Sequence, residues 1–144
     1  MATVRDVLAG KGRETVTLPR TATVLEAARV MDARGIGCIV VAEGRTLEGI
    51  FTERDVLRRV VAAGRDPATT LLGDVMTTRL MTCTSAASLD ECANVMSERG
   101  FRHLPVLDEQ GLCGVVSSRD VLASRVAEQQ TTIEHLNSYV FDLR

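Results

Sequence analysis

Aromatic side chains are scarce in this chain of 144 residues, which has three phenylalanines, one tyrosine and no tryptophan. Proteins that bind single-stranded nucleic acid stack bases on aromatic side chains beside a basic groove. The net charge of −2 and the lack of any run of lysine or arginine also speak against such a groove. We therefore expect no nucleic-acid partner.

Long apolar runs are also missing. No stretch reaches the roughly 20 apolar residues that a membrane-spanning helix needs. Charged residues between Arg5 and Glu14 interrupt the segment where a secretory signal would place its apolar region. We expect a cytoplasmic protein with no membrane partner.

Cysteine chemistry is limited. The four cysteines are Cys38, Cys83, Cys92 and Cys113. They form no C-x-x-C pair, and none has zinc-ligand spacing to His103 or His135. No nucleophile–base pair or phosphate-cradling glycine loop is evident either. We expect reduced, mostly buried thiols, no metal ion and no enzymatic activity.

The chain contains one unit twice. Residues Thr21–Leu57 align with Ala86–Leu122 at a constant offset of 65, and more than a third of the aligned positions are identical. A single copy of about 60 residues would have a marginal core, so the copies should pack on each other. We divide the chain into repeats 1–65 and 66–126 and a helical tail, 127–144.

Each copy reads as β-α-β-β-α behind a short lead, which is Val4–Leu8 in the first copy and Leu72–Met76 in the second. Extended segments at Thr15–Leu18 and Met81–Thr84 precede the first helix. Capping patterns at Thr23 and Ser88 predict where these helices begin, and glycines after their apolar stripes predict where they end. Paired apolar runs then predict a β-hairpin in each copy.

The second helix of each copy should begin near Thr52 or Ser117. In the first copy it should end near Gly64, whereas in the second no glycine or proline stops it. Residues with the four–three spacing of a heptad continue into the tail: Leu122, Val126, Gln129, Ile133, Leu136 and Val140. This tail helix would pack on its own domain or on another subunit, or else the tail would be disordered.

The strand-to-helix junctions share the pattern G-h-h-[ST]-x-R-D, where h is apolar. The carboxylates of Asp55 and Asp120 suit the vicinal hydroxyls of ribose. The helix N-terminus and the preceding arginine suit a nearby anion. The same spacing is also that of a capping box, which needs no ligand. Both interpretations stay open on the motif alone.

A further string, Phe101 to Val106, reads FRHLPV. Pro105 lacks a backbone N–H and should leave part of a strand edge free, where a flat base could rest. Together with the doubled unit and the two junctions, this string resembles the CBS-domain pair (cystathionine β-synthase type), in particular stand-alone bacterial pairs. The resemblance covers essentially residues 1–126.

The resemblance implies an α+β module of two CBS repeats with pseudo-two-fold symmetry, two clefts for adenosine-containing ligands, and a homodimer. It implies that Asp55 and Asp120 hold the ribose and that Thr52, Ser117, Arg54 and Arg119 lie near the phosphates. The adenine would contact Gly37, Cys38, Ile39, His103, Leu104, Pro105, Val16 and Cys83. Lys11 and Arg102 would be phosphate or second-nucleotide contacts.

The copies differ where the ligand would lie, so we expect unequal sites. Glu53 stands where the second copy has Ser118, and Gly37-Cys38 stands where it has Arg102-His103. The leading hypothesis is a regulatory sensor of AMP, ADP, ATP or NAD(H) that acts on an unknown effector protein. The alternatives are a ligand-independent dimerisation scaffold and a regulator that binds S-adenosylmethionine.

Overall fold

The structure is a computed structural model that describes residues 2–11 and 15–129. Its strands are β1 (Thr17–Leu18), β2 (Cys38–Glu43), β3 (Thr46–Thr52), β4 (His103–Asp108) and β5 (Gly111–Ser117). Its α-helices are α1 (Val4–Lys11), α2 (Val24–Arg34), α3 (Glu53–Asp55), α4 (Leu72–Val75), α5 (Leu89–Arg99) and α6 (Ser118–Glu128), and a π-helix follows α3 over Val56–Val61. The predicted α+β fold of two repeats is confirmed.

The first helix of each repeat begins and ends at the predicted residues. The Thr23 hydroxyl accepts a hydrogen bond from the Glu26 N–H, and the Ser88 hydroxyl does the same for its own helix. Gly35 and Gly100 close the two helices with left-handed backbone angles, φ +63° and +74°. Each capped helix turns its apolar stripe into the core of its own repeat.

The two hairpins are built to the same register. Cys38 lies opposite Thr52 in the first, and His103 lies opposite Ser117 in the second. Both ladders shift at the equivalent place, after Val41 and after Val106. Because side chains alternate along a strand, one face of each hairpin packs on the first helix of its own repeat and the opposite face meets the hairpin of the other repeat.

Of the two predicted extended segments, only the one in the first repeat forms a strand that pairs with its hairpin. β1 lies parallel to β2, and the Val40 N–H donates to the Val16 carbonyl at 3.3 Å. Pro105 occupies the position of Val40 and has no N–H to donate. The second segment therefore keeps one bridge, between Cys83 and Val106.

The leads are helices, which the sequence pattern did not specify, and the repeats exchange them. In α1, Val4 is fully buried in the core of the second repeat, and its N–H donates to the Ala87 carbonyl. In α4, Leu72 is fully buried in the core of the first repeat, and its N–H donates to the Ala22 carbonyl. Each repeat therefore completes its core with the lead that precedes the other repeat's first helix.

A glycine kept in both hairpins makes room for the exchanged leads. A Cβ on Gly49 would stand 2.7 Å from the Met76 sulfur, and one on Gly114 would stand 2.6 Å from a Leu8 methyl. Real Cβ atoms essentially never come so close to another atom. Close packing of the leads explains the glycine of the junction motif without a ligand.

The faces that the hairpins turn away from their helices meet in a small apolar cluster around Val40, Ala42 and Leu112. At its edge, the Arg45 carbonyl accepts the Leu112 N–H at 2.8 Å, and the guanidinium reaches Asp108 at 3.1 Å. Gly111 has φ +113°, and a Cβ there would collide with the Arg45 carbonyl oxygen. This contact joins the turns of the two hairpins.

The second helices begin as predicted but differ in form. After α3, the bonds from Ala62 N–H to Leu57 and from Arg65 N–H to Val60 span five residues, as in a π-helix. The π-helix is followed by a turn that ends at Gly64, near the predicted end of this helix, whereas α6 continues to Glu128. The predicted heptad positions beyond Gln129 lie outside the described residues. Within residues 2–11 and 15–129, no helix has the length and hydropathy of a membrane span.

Candidate functional site

The two junction carboxylates lie at the starts of the second helices, and both close capping boxes. Asp55 accepts the Thr52 N–H at 3.0 Å, and the Thr52 hydroxyl accepts the Asp55 N–H at 3.3 Å. Asp120 accepts the Ser117 N–H at 2.8 Å, and the reciprocal bond is 3.1 Å. The capping interpretation is thus confirmed in both repeats. A ligand would be held in addition to this role.

Asp55 lies within a larger network. The Thr77 hydroxyl, which follows α4, lies 3.3 Å and 3.4 Å from its two carboxylate oxygens. The Arg59 Nε lies 3.5 Å from one of them, and an Arg59 Nη1 donates to the carbonyls of Val75 and Met76. The Asp55 side chain is 12% exposed. Two side chains that the sequence analysis did not select, Arg59 and Thr77, therefore cover this carboxylate.

Asp120 has different neighbours. At the position equivalent to Arg59, the second helix of the second repeat has Ser124. The leads align at an offset of 68, Val4 with Leu72, so Ala9 is the residue equivalent to Thr77. Between α1 and α6 lies an open cleft of about 330 Å³, within the size range of small-molecule sites. It is lined by Asp6, Val7, Gly10, Asp120, Ala123 and Ser124.

Asp6 brings a second carboxylate to this cleft. It accepts the N–H of Thr3 at 2.9 Å, and this bond holds the pKa of Asp6 below its ordinary value. The exchange of leads explains why the sequence analysis missed Asp6 and Gly10. The equivalence of the two leads was visible in the sequence and could have directed attention to Thr77 and Ala9.

The rims of the two junctions carry opposite charges. In the first repeat, the Glu53 carboxylate carbon lies 3.3 Å from where a Cβ on Gly37 would stand. In the second repeat, the equivalent positions are Ser118 and an exposed Arg102. The backbone contact is shared, because the Glu53 N–H donates to the Gly37 carbonyl at 3.1 Å and the Ser118 N–H donates to the Arg102 carbonyl at 2.9 Å. The chemistry of the rim therefore differs although the backbone does not.

The hairpins bring the remaining predicted residues near the junctions, with different degrees of burial. Cys38 and His103 lie opposite the capping hydroxyls and are partly buried. Ile39, Leu104 and Pro105 are buried, the first two within the helix-facing cores. The arginines that precede the carboxylates, Arg54 and Arg119, are exposed. The role of each in binding stays a prediction.

Val16 and Cys83 occupy non-equivalent positions. Leu18 pairs with Val41 in the first repeat, and Cys83 pairs with the equivalent Val106 in the second. Cys83 therefore corresponds to Leu18 and not to Val16. Burial raises the pKa of the Cys83 thiol to about 12, which makes it a weak nucleophile. Lys11 is the last residue of α1.

The fold and the two junctions define a class of protein. It is an α+β module of two paired repeats, with a carboxylate at the start of each second helix. The CBS domain matches residues 3–62 and 72–127. The chain belongs to the CBS-domain family.

Relatives extend over nearly the whole chain. CBS domain-containing protein YhcV of Bacillus subtilis is 30% identical over 95% of this chain and 99% of its own length. A CBS-domain protein from Burkholderia ambifaria has 36% identity and a TM-score of 0.83, covering 89% of this chain and 96% of that one. PAE2072 from Pyrobaculum aerophilum, crystallised with AMP, has 26% identity and a TM-score of 0.73, covering 83% and 89%.

Metal binding occurs among the similar proteins. Hypoxic Response Protein I, 30% identical with a TM-score of 0.72, was crystallised with two coordinated zinc ions, and the match covers 85% of this chain and 98% of that one. In the part of this chain that the structure describes, no three His, Cys, Asp or Glu side chains are grouped for a metal.

Proposed function

We propose that this protein is a regulatory module that binds an adenosine-containing ligand, AMP, ADP, ATP or NAD(H), and transmits the binding to an effector protein without catalysing a reaction. The observation that carries the proposal is the position of Asp120 on the wall of a cleft of about 330 Å³. The AMP-bound relative supports it. Its place would be the cytoplasm, where its free cysteines stay reduced.

The chemistry of the junction fits such a ligand. An ionised carboxylate accepts hydrogen bonds from both hydroxyls of a ribose. The N-terminus of α6, an 11-residue helix, offers the positive end of its dipole to an anion. Arg102 and Arg119 are exposed near the same end of the helix, where they could pair with phosphate oxygens.

Calorimetry tests this proposal on protein stripped of small molecules by unfolding and refolding. We expect AMP, ADP, ATP or NAD(H) to bind wild type and Asp120→Ala to bind at least about tenfold more weakly, the equivalent of about 1.4 kcal/mol. Ser88→Ala is the matched control, because it removes a helix cap of the same repeat at a residue that does not line the cleft. Absence of binding up to about 1 mM, a free energy of about −4 kcal/mol, would contradict the proposal.

S-adenosylmethionine is an alternative ligand because the cleft has two acidic side chains, Asp6 and Asp120. Its sulfonium group is positively charged and would be attracted to them, whereas phosphates would be repelled. It belongs in the same calorimetric series. Tighter binding of S-adenosylmethionine than of every nucleotide would favour this alternative.

We also propose that the protein is a homodimer assembled through its second helices. Large apolar side chains are exposed at equivalent positions of the two repeats: Leu57 by 62%, Val61 by 63%, Leu122 by 63% and Val126 by 39%. Burial of apolar surface contributes about 25 cal/mol per Å² removed from water, so covering this face would stabilise an interface. The capping role of both aspartates is compatible with a scaffold that dimerises without any ligand.

Light scattering after size-exclusion chromatography tests the assembly. The double variant Leu57→Lys/Leu122→Lys should be a monomer, because two charges would have to be buried in the interface. Leu71→Lys is the control, since Leu71 is an exposed leucine outside this face. A double variant that stays dimeric would contradict the proposed interface. A scaffold without a ligand predicts that nucleotides shift the melting temperature of neither wild type nor Asp120→Ala.

A further inference from the structure

We propose that the first repeat's carboxylate is closed by the chain's own Arg59 and Thr77, so that each chain binds one adenosine-containing ligand, at Asp120. This inference rests on the proposed function and adds the stoichiometry and the residues that set it. It follows from the different surroundings of two aspartates that occupy the same position in the repeat.

The oxygens of Asp55 are occupied. One oxygen, Oδ2, accepts the Thr52 N–H at 3.0 Å and lies 3.4 Å from the Thr77 hydroxyl. The other, Oδ1, lies 3.3 Å from the same hydroxyl and 3.5 Å from Arg59 Nε. A carboxylate has about four lone-pair sites. A ribose diol would have to displace these donors before it could bind there.

Arg59 is also held at its other end. Its Nη1 lies 3.4 Å from the Val75 carbonyl and 3.3 Å from the Met76 carbonyl. The guanidinium therefore spans from the second helix of the repeat to the end of the exchanged lead. A ligand that moved it away from Asp55 would break these contacts as well.

The second repeat has neither group. Ser124 replaces the arginine and is too short to reach across as a guanidinium does, and Ala9 replaces the threonine. Both α1 and α6 line the cleft of about 330 Å³ in this region. The difference between the sites thus depends on two side chains, and both can be exchanged between the repeats.

The exchange makes the inference testable with AMP as the calorimetric probe. Wild type should bind one AMP per chain, and Asp120→Ala should lose it while Asp55→Ala keeps it. Arg59→Ser/Thr77→Ala should bind two, because Asp55 then loses the two side chains that cover it, whereas Ser124→Arg should bind none. Arg58→Ser/Thr78→Ala is the matched control, since these neighbours are exposed, and should still bind one.

The outcomes separate this inference from the proposed function. Two sites in wild type, or one site that Asp55→Ala removes, would overturn the closure and leave the proposed function standing. No binding of any adenosine compound to wild type would overturn the proposed function. The closure has its own test without ligand, the Arg59 Nε–H signal in NMR. That signal should shift and exchange faster with solvent in Asp55→Asn, and an unchanged signal would overturn the closure.

Discussion

The two repeats share the register of their hairpins and differ in the side chains that surround the junction carboxylate. The same hydroxyl–carboxylate pair caps the second helix in both, and the same glycine admits the lead. Yet Thr77 and Arg59 cover Asp55, whereas Asp120 lines a cleft. Each repeat thus determines its own backbone frame, while the chemistry at its junction also depends on the lead supplied by the other part of the chain.

The largest effect should come from breaking the exchange of leads. Leu72→Ala should destabilise the protein by about 3 kcal/mol, since it removes a fully buried side chain. Hydrogen exchange should then quicken first in α2, β2 and β3, whose core contains Leu72. Leu71→Ala, at the exposed neighbour, should change stability by less than about 0.5 kcal/mol. Earlier exchange in α5 would show that α4 supports its own repeat instead.

A somewhat smaller effect should follow from filling the contact between the hairpin turns. Gly111→Ala should cost about 2–3 kcal/mol, because the backbone angle is unfavourable and the new methyl collides with the Arg45 carbonyl. Gly44→Ala is the control, since φ is +59° but nothing lies within 4 Å; about 1 kcal/mol is expected. Equal losses of the free energy of unfolding in urea would show that the turns do not touch.

Pro105→Val would make the second repeat more like the first. The new amide at position 105 should donate to the Met81 carbonyl, as Val40 does to Val16, and extend the pairing of the Cys83 segment. One hydrogen bond contributes about 1 kcal/mol. NMR hydrogen exchange should show this amide protected. Rapid exchange there would mean that proline is not what shortens the strand.

The smallest effect concerns Cys83, which is partly buried against the core of the second repeat. Its pKa is about 12 in the folded protein against 9.0 ordinarily. Between about pH 9 and 12 the unfolded chain therefore binds fewer protons, so stability is complete below pH 9 and falls as the pH rises. Urea titrations should show a shallower fall for Cys83→Ala than for wild type or Cys38→Ala. Equal slopes would contradict the burial of this thiol.

Local features were predictable because their causes are local. The threonine and serine caps, the glycines at Gly35 and Gly100 and the hairpin turns act within a few residues of the chain, and each lies where the sequence pattern places it. The capping role of Asp55 and Asp120 was one of two stated interpretations. These features define the frame of both junctions.

Distant pairings were not predictable from the same patterns. Nothing in the apolar spacing of α1 says which core it completes, and Thr77 lies 22 residues from the carboxylate that it contacts. The π-helix after Asp55 was also missed, since its five-residue bonds have no composition of their own. The contact of Arg59 with Asp55 was therefore not predictable, although Ser124 at the equivalent position makes the second junction different from the first.

The exchanged leads have a consequence for synthesis on the ribosome. α1 is made before the elements on which it packs, because its partners around Leu89 and Leu104 come more than 80 residues after Val4. The first repeat, in contrast, becomes complete as soon as Met76 has emerged. The nascent chain should therefore fold its first half while the earliest helix waits, and the native topology closes only when the last strand and helix arrive to receive it.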